Sequence, residues 1–219
     1  MKRASRAKQA KMLRTIAKLF PVEVWKSRPP FETLIQTILS QNTNDRNSDA
    51  AMKKLRRRYR ITPQVLARAK VSELIPQIRT AGLYTTKAPR IIAVSKIIEE
   101  KYKGQLSPIL DLPYAQAKEE LMELPGVGPK TADILLAFVA KNPVIPVDTH
   151  IARVTKRLGI APPNGNYETV RTSLESLIIP KKRISTHLSM IEFGRAICRA
   201  PRPRCFACPL SEACPSSNV

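Results

Sequence analysis

The chain has 219 residues, enough for one sizeable hydrophobic core or two small ones. Its 38 Lys and Arg against 17 Asp and Glu give a net charge of +21, far beyond what solubility needs, so the expected partner is a polyanion, nucleic acid first. No stretch approaches the run of 18 or so apolar residues that a membrane-spanning helix requires, and cysteine is absent until the last 22 residues, which excludes a disulfide-built secreted scaffold.

The basic start, Met1 to Lys11, leads into the mixed segment Met12–Phe20 rather than an apolar core, so it is not a secretory signal. A mitochondrial presequence would share its amphipathic, acid-poor character, but Leu13, Ile16, Ala17 and Phe20 fit the stripe of an ordinary first helix. Phe31, Leu34, Ile35, Ile38 and Leu39 follow at helical spacing. Lys53 to Arg60 is the densest basic run and reads as a solvated helix face with Leu55 and Tyr59 turned inward. Further helical stripes run through Ile91–Ile98, Ile134–Val139, Ile151–Leu158 and Val170–Ile178. No period-two alternation appears, and most of the nineteen prolines fall between the helical runs or in their first turns. The predicted fold is all-α, with about ten short helices.

At Leu121–Asp133 a helix runs into Leu-Pro-Gly-Val-Gly, and a new one begins at Pro129, a favoured first-turn residue. Helices are often joined by Gly-containing turns, but this string in a cationic chain reads as a helix-hairpin-helix, spanning about residues 114–140. Gly126 and Gly128 let the backbone turn tightly and approach a ligand, so that hairpin N–H groups hold a phosphate oxygen without reading base sequence. Lys130 lies in the first turn of the outgoing helix, where the helix dipole and surrounding basic charge both disfavour an ammonium; a lysine that is neutral part of the time is a nucleophile. Taken singly, it could equally be one more solvated or phosphate-binding lysine.

Asp148, in Val-Asp-Thr-His, precedes a helical stripe and suits an N-cap. In so basic a chain its carboxylate could also stabilise positive charge developing on a sugar. His150 is either structural or phosphate-contacting. The four cysteines, Cys198, Cys205, Cys208 and Cys214, form Cys-x6-Cys-x2-Cys-x5-Cys within 17 residues. This suits an iron–sulfur cluster or a structural zinc; one close pair flanked by wider singletons favours a four-iron cluster, with zinc the rival. Such thiolates imply a reducing compartment. Arg199, Arg202 and Arg204 lie on the proline-stiffened loop between the first two cysteines and suit a preorganised phosphate grip.

The order Leu-Pro-Gly-Val-Gly-Pro-Lys130, Val-Asp148-Thr-His, then Gly194-Arg-Ala-Ile-Cys198 with its cysteine spacing closely resembles endonuclease III, in the helix-hairpin-helix DNA glycosylase superfamily. The likeness extends from Phe31-Glu32 and Ile38–Thr43 through Gly82–Ala88 to Cys214. It implies two lobes. One, residues 31–143, is a six-helix domain with the hairpin; the other, residues 1–30 plus 144–219, holds a [4Fe-4S] cluster on the loop 198–214, and a damaged nucleotide is flipped into the cleft between them. The implied activity is a bifunctional glycosylase/AP lyase of base excision repair that removes damaged, chiefly oxidised, pyrimidines from double-stranded DNA. Lys130 would attack the sugar C1′ and form a Schiff base from which β-elimination cuts the strand, with Asp148 assisting. Leu83 resembles the family's wedge residue. Opposite it Asn42, preceded by Gln41, stands where bacterial members usually place glutamine, a departure that bears on the preferred opposite base or lesion. A monomer acting on damaged or abasic DNA in a prokaryotic cytoplasm, at the nucleoid and away from membranes, is the implied setting. Two other readings stand beside it: a mismatch-specific thymine/uracil glycosylase, which in this superfamily lacks a lysine at the position of Lys130, and a non-catalytic helix-hairpin-helix DNA-binding protein.

Overall fold

The computed structural model describes residues 5–22 and 29–218. The first four residues of the basic start, and residues 23–28 within the segment 1–30, lie outside the described residues. Twelve α-helices, no strand and four short 3-10 turns make up the regular structure among the described residues. None of these helices is long and apolar enough to cross a membrane. The sequence suggests about ten helices, and the surplus has a simple cause. Two of the twelve, Pro63–Ala67 and Ser107–Leu110, span only five and four residues, too short to display a 3.6-residue period.

The chain divides into two compact units, Ser27–Asn142 and Met1–Lys26 with Pro143–Val219. In the first, α2 (Pro30–Ser40) starts on a proline at its first position and buries Leu34, Ile35, Ile38 and Leu39 completely against α3 (Asp45–Arg58) and α9 (Pro129–Phe138). The basic run on α3 behaves as a solvated face: Leu55 is buried, Tyr59 half-buried, and the Lys and Arg residues point outward, Arg56 meeting Glu32 at 2.6 Å. After α4 (Pro63–Ala67) and α5 (Val71–Ile78), α6 (Tyr84–Tyr102) packs on both through Ala88, Ile91, Val94 and Ile98. A single turn, α7 (Ser107–Leu110), leads to α8 (Tyr114–Met122), which lies against α9. Asp133 of α9, with no exposed surface, staples this pair by accepting from Tyr114 Oη at 2.9 Å and pairing with Lys118 Nζ at 3.2 Å.

In the second unit α1 (Arg6–Leu19), capped by Ser5, buries Met12, Leu13 and Ile16 against α12 (Arg183–Ala196). Phe20 and Phe193 meet edge to face at 5.8 Å. α10 (Thr149–Arg157) packs on α12 and on α11 (Tyr167–Glu175). Cys198, Cys208 and Cys214 pack against the same core, so the C-terminal loop is seated on the unit.

Candidate DNA-facing turns and cysteine loop

The hairpin between α8 and α9 assigns different work to its two glycines. Gly126 has φ +82°, a left-handed conformation that the turn itself requires, and a Cβ there would press on Arg90 Cδ at 3.0 Å. Gly128 is extended, with φ −103° and ψ −178°, and a Cβ there would meet nothing within 4 Å. The fold therefore makes no steric demand for glycine at 128. Gly128 is the N-cap of α9 and makes no side-chain capping bond, and Pro129 brings no N–H, so the first-turn N–H groups of Lys130 and Thr131 point out of the helix as orphan donors. Lys130, second residue of α9, is half-buried, and its ammonium has no hydrogen bond or ion pair among the described residues.

Two further turns of this unit hold the expected wedge residues, and both place them in a left-handed backbone conformation. Asn42, exposed just after α2, has φ +52°, and Leu83, at the N-cap of α6, has φ +47° with 52% of its surface exposed. A left-handed leucine costs about 1–2 kcal/mol. The adjoining 3-10 turn ends at Gly82, and Arg79 in it stacks on the Tyr84 ring at 5.6 Å. Gln41 is differently placed from its neighbour. Its side-chain amide donates to Gly126 O at 2.8 Å and to Thr131 Oγ1 at 3.3 Å, tying the end of α2 to the hairpin rather than reaching outward.

In the other unit Asp148 is the N-cap of α10, its Oδ1 accepting from Ile151 N at 2.7 Å, so the capping role is real. What the sequence does not announce is how the buried run before it is held. Residues 144–147 are buried and belong to no helix or strand, and a buried backbone needs partners. They come from side chains: Glu175 Oε1 accepts from Ile145 N at 3.1 Å, Val147 N meets Tyr167 Oη at 3.3 Å, and buried His187 donates from Nδ1 to Pro146 O at 2.9 Å. These contacts fix the peptide that delivers Asp148. Arg183 adds a bond to Pro143 O.

His150 is held within the protein: its Nδ1 accepts from Arg153 at 3.0 Å, because a guanidinium can only donate. Arg153 also donates to Gly194 O at 3.0 Å and to Cys198 O at 2.9 Å. Gly194 is glycine because α10 passes close by; a Cβ there would lie 3.1 Å from His150 Cβ. One turn on, Arg157 donates to Arg199 O at 2.6 Å and Ala200 O at 3.0 Å and reaches Cys198 Sγ at 3.5 Å. The helix that begins at Asp148 thus clamps the start of the cysteine loop, leaving the side chains of Arg199, Arg202 and Arg204 exposed.

All four cysteines are free thiols. Burial pushes the Cys208 thiol up, and the sulfurs of Cys214, Cys198 and Cys205 push it further, while a Leu210 N–H opposes them. Cys214 is raised in the same way, by burial and then by Cys198 and Cys205, against a Ser216 N–H. Four cysteine thiols within one short loop, two of them reached by backbone N–H groups, carry the donor chemistry that a thiolate-bound metal group uses; among the described residues they are not drawn together into a metal-holding cluster.

Comparison with known proteins identifies the family. Residues 35–180 match the family described as HhH-GPD superfamily base excision DNA repair protein. The chain is 42% identical over 209 residues to endonuclease III of Thermotoga maritima, covering 93% of this chain and 90% of that protein. It is 34% identical over 187 residues to endonuclease III of Escherichia coli K12, covering 84% and 83%. The structure of a trapped endonuclease III–DNA covalent intermediate superposes with a TM-score of 0.87 at 35% identity, over 97% of each chain. A thermostable thymine-DNA glycosylase, 21% identical, shares the fold with a TM-score of 0.77 over 96% of this chain and 95% of that one. The chain belongs to the HhH-GPD superfamily of base excision DNA repair proteins, in its endonuclease III family.

Proposed function

We propose that this protein is a bifunctional DNA glycosylase/AP lyase that removes oxidised pyrimidines from double-stranded DNA and cuts the abasic strand, acting as a monomer. The observation that carries the reading is Lys130: a half-buried lysine in the first turn after the hairpin, with no hydrogen bond or ion pair among the described residues.

The chemistry follows from amine nucleophilicity. Lys130 Nζ, uncharged, bonds to the sugar C1′ as the C1′–N bond to the damaged base breaks, and the base leaves with the bonding electrons and a proton. Opening of the sugar gives a protonated Schiff base. That cation acidifies C2′, and loss of a C2′ proton expels the 3′ phosphate by β-elimination. Asp148, one carboxylate oxygen of which caps Ile151 N, is assigned the family's assisting role, stabilising the cationic sugar and helping the proton transfer. The hairpin N–H groups beside Gly126 and Gly128 take a phosphate oxygen, Asn42 and Leu83 enter the duplex, and Arg199, Arg202 and Arg204 meet backbone phosphates. His150, which accepts from Arg153 at Nδ1, is among the proposed DNA-contacting residues.

Cys198, Cys205, Cys208 and Cys214 would hold a [4Fe-4S] cluster, which when bound supplies a structural staple for the arginine loop. The cluster-bearing part is residues 1–30 with 144–219, and the hairpin part residues 31–143. Duplexes carrying thymine glycol, dihydrouracil, uracil, a T·G mismatch or a bare abasic site test the function. Base release plus strand cleavage on oxidised pyrimidines, and cleavage at abasic sites, is expected. Release from T·G alone without cleavage indicates a mismatch glycosylase, and binding without chemistry a non-catalytic DNA-binding protein.

A further inference from the structure

One buried cation in the Ser27–Asn142 unit is left unexplained by the chemistry above. Lys87, in the first turns of α6, is 1% exposed, and burial holds its ammonium below the usual lysine range. Its Nζ donates to three backbone carbonyls, Gln41 O at 2.6 Å, Leu39 O at 2.8 Å and Ala81 O at 2.9 Å. An ammonium has three N–H donors, and all three are used. Leu39 and Gln41 stand at the end of α2, where carbonyls lack helical partners and the dipole favours a cation. Ala81 closes the 3-10 turn before Gly82.

The positions of these carbonyls matter. Gln41 O belongs to the peptide that enters Asn42, and Ala81 lies two residues before Leu83, so one ammonium grips the backbone ahead of both left-handed residues. The grip continues, because the Gln41 side chain donates to Gly126 O and Thr131 Oγ1. The Leu83 turn, Lys87, the end of α2, Gln41 and the hairpin that precedes Lys130 form one continuous polar relay. A core built only for stability has little use for such a lysine, since a buried ammonium loses its hydration and an apolar side chain of similar length would not.

We infer that Lys87 is a positioning residue that holds Asn42 and Leu83 in register as a two-part wedge and, through Gln41, fixes that wedge against the hairpin. This rests on the proposed function, in which those two residues enter the duplex. Its mark is selective: Lys87 matters where a base must be forced out of a paired stack and not where it is already unpaired.

The test compares wild type with Lys87→Met, which keeps the length and removes the donors, and Lys87→Arg, which keeps the charge. Single-turnover base release is measured with dihydrouracil in a fully paired duplex and with the same lesion in an unpaired bubble. In parallel, unstacking of 2-aminopurine beside an unreactive tetrahydrofuran abasic analogue is followed by fluorescence. Lys87→Met is expected to slow release from the paired duplex by about tenfold or more, to stay within about threefold of wild type on the bubble, and to lose the 2-aminopurine signal; Lys87→Arg is expected to recover part of that signal. Equal losses on paired and bubble substrates, or no loss on either, overturn the inference. If Lys87→Met does not fold, Gln41→Met breaks the next link of the relay and is held to the same asymmetry. Because the tetrahydrofuran duplex needs no chemistry, a wild type that releases no base refutes the proposed function, while the fluorescence signal still decides the role of Lys87.

Discussion

Replacing Gly128 with alanine separates what the fold needs from what DNA needs. Its backbone, φ −103° and ψ −178°, suits any residue, and a Cβ would meet nothing within 4 Å. Restricting the unfolded chain at a compatible site stabilises by about 0.4–1 kcal/mol, and the weaker N-capping preference of alanine takes back a similar amount, so the net change in stability is about zero. In the proposed function, the same methyl stands where a phosphate oxygen approaches the hairpin N–H groups. Losing one hydrogen bond to a charged group costs about 1.5–3 kcal/mol, which weakens binding by about ten- to a hundredfold. Gly126→Ala is the contrasting control: its φ of +82° is forbidding to alanine, and the methyl crowds Arg90, so stability falls by about 1–2 kcal/mol. Thermal melts and fluorescence anisotropy on a tetrahydrofuran-containing duplex, at one fixed salt concentration, read both quantities. A Gly128→Ala protein that binds as tightly as wild type, or that melts as early as Gly126→Ala, refutes the reasoning.

Other changes probe other parts. Asp133→Ala leaves Lys118 and the Tyr114 hydroxyl without their buried acceptor and is expected to cost about 3–5 kcal/mol in urea unfolding. Burial, then the Asp133 carboxylate, pushes the Tyr114 hydroxyl up to about 12 from the ordinary 10.0. A group whose folded pKa is raised contributes stability that is complete below its unfolded pKa and is lost as pH climbs through the folded one, here between 10.0 and about 12. Tyr114→Phe should therefore flatten the decline of urea midpoints across that alkaline window. Arg157→Met frees the carbonyls of Arg199 and Ala200; faster loss of iron to a chelator and weaker duplex binding are expected, with helical circular dichroism unchanged.

Much of this architecture was legible in the residues because helices announce themselves locally. The stripe from Phe31 to Leu39 is buried where its spacing says, Pro129 opens α9, and Asp148 caps α10. The spacing of the cysteines and the Leu-Pro-Gly-Val-Gly turn are equally local signals. The supporting contacts are not. Lys87 finds carbonyls 48 and 46 residues away, and backbone acceptors leave no trace in side-chain pattern, so a buried ammonium there reads as any surface lysine. His187 and Tyr167 serve an irregular buried run ahead of Asp148 whose want of partners is visible only once the chain is folded. The two glycines of the hairpin look equivalent in sequence, yet only Gly126 has a left-handed backbone. Gln41 and Asn42 are neighbours, and one extra residue of register sends the first amide into the hairpin and leaves the second exposed.

The most direct test of the central claim is to locate the covalent bond. The protein is incubated with abasic duplex in the presence of borohydride, which reduces a Schiff base to a stable amine, and the digest is read by mass spectrometry. A deoxyribose fragment on Lys130, absent from Lys130→Met, is the predicted result. A fragment on another lysine or on the terminal amine, or an adduct that survives Lys130→Met undiminished, contradicts it.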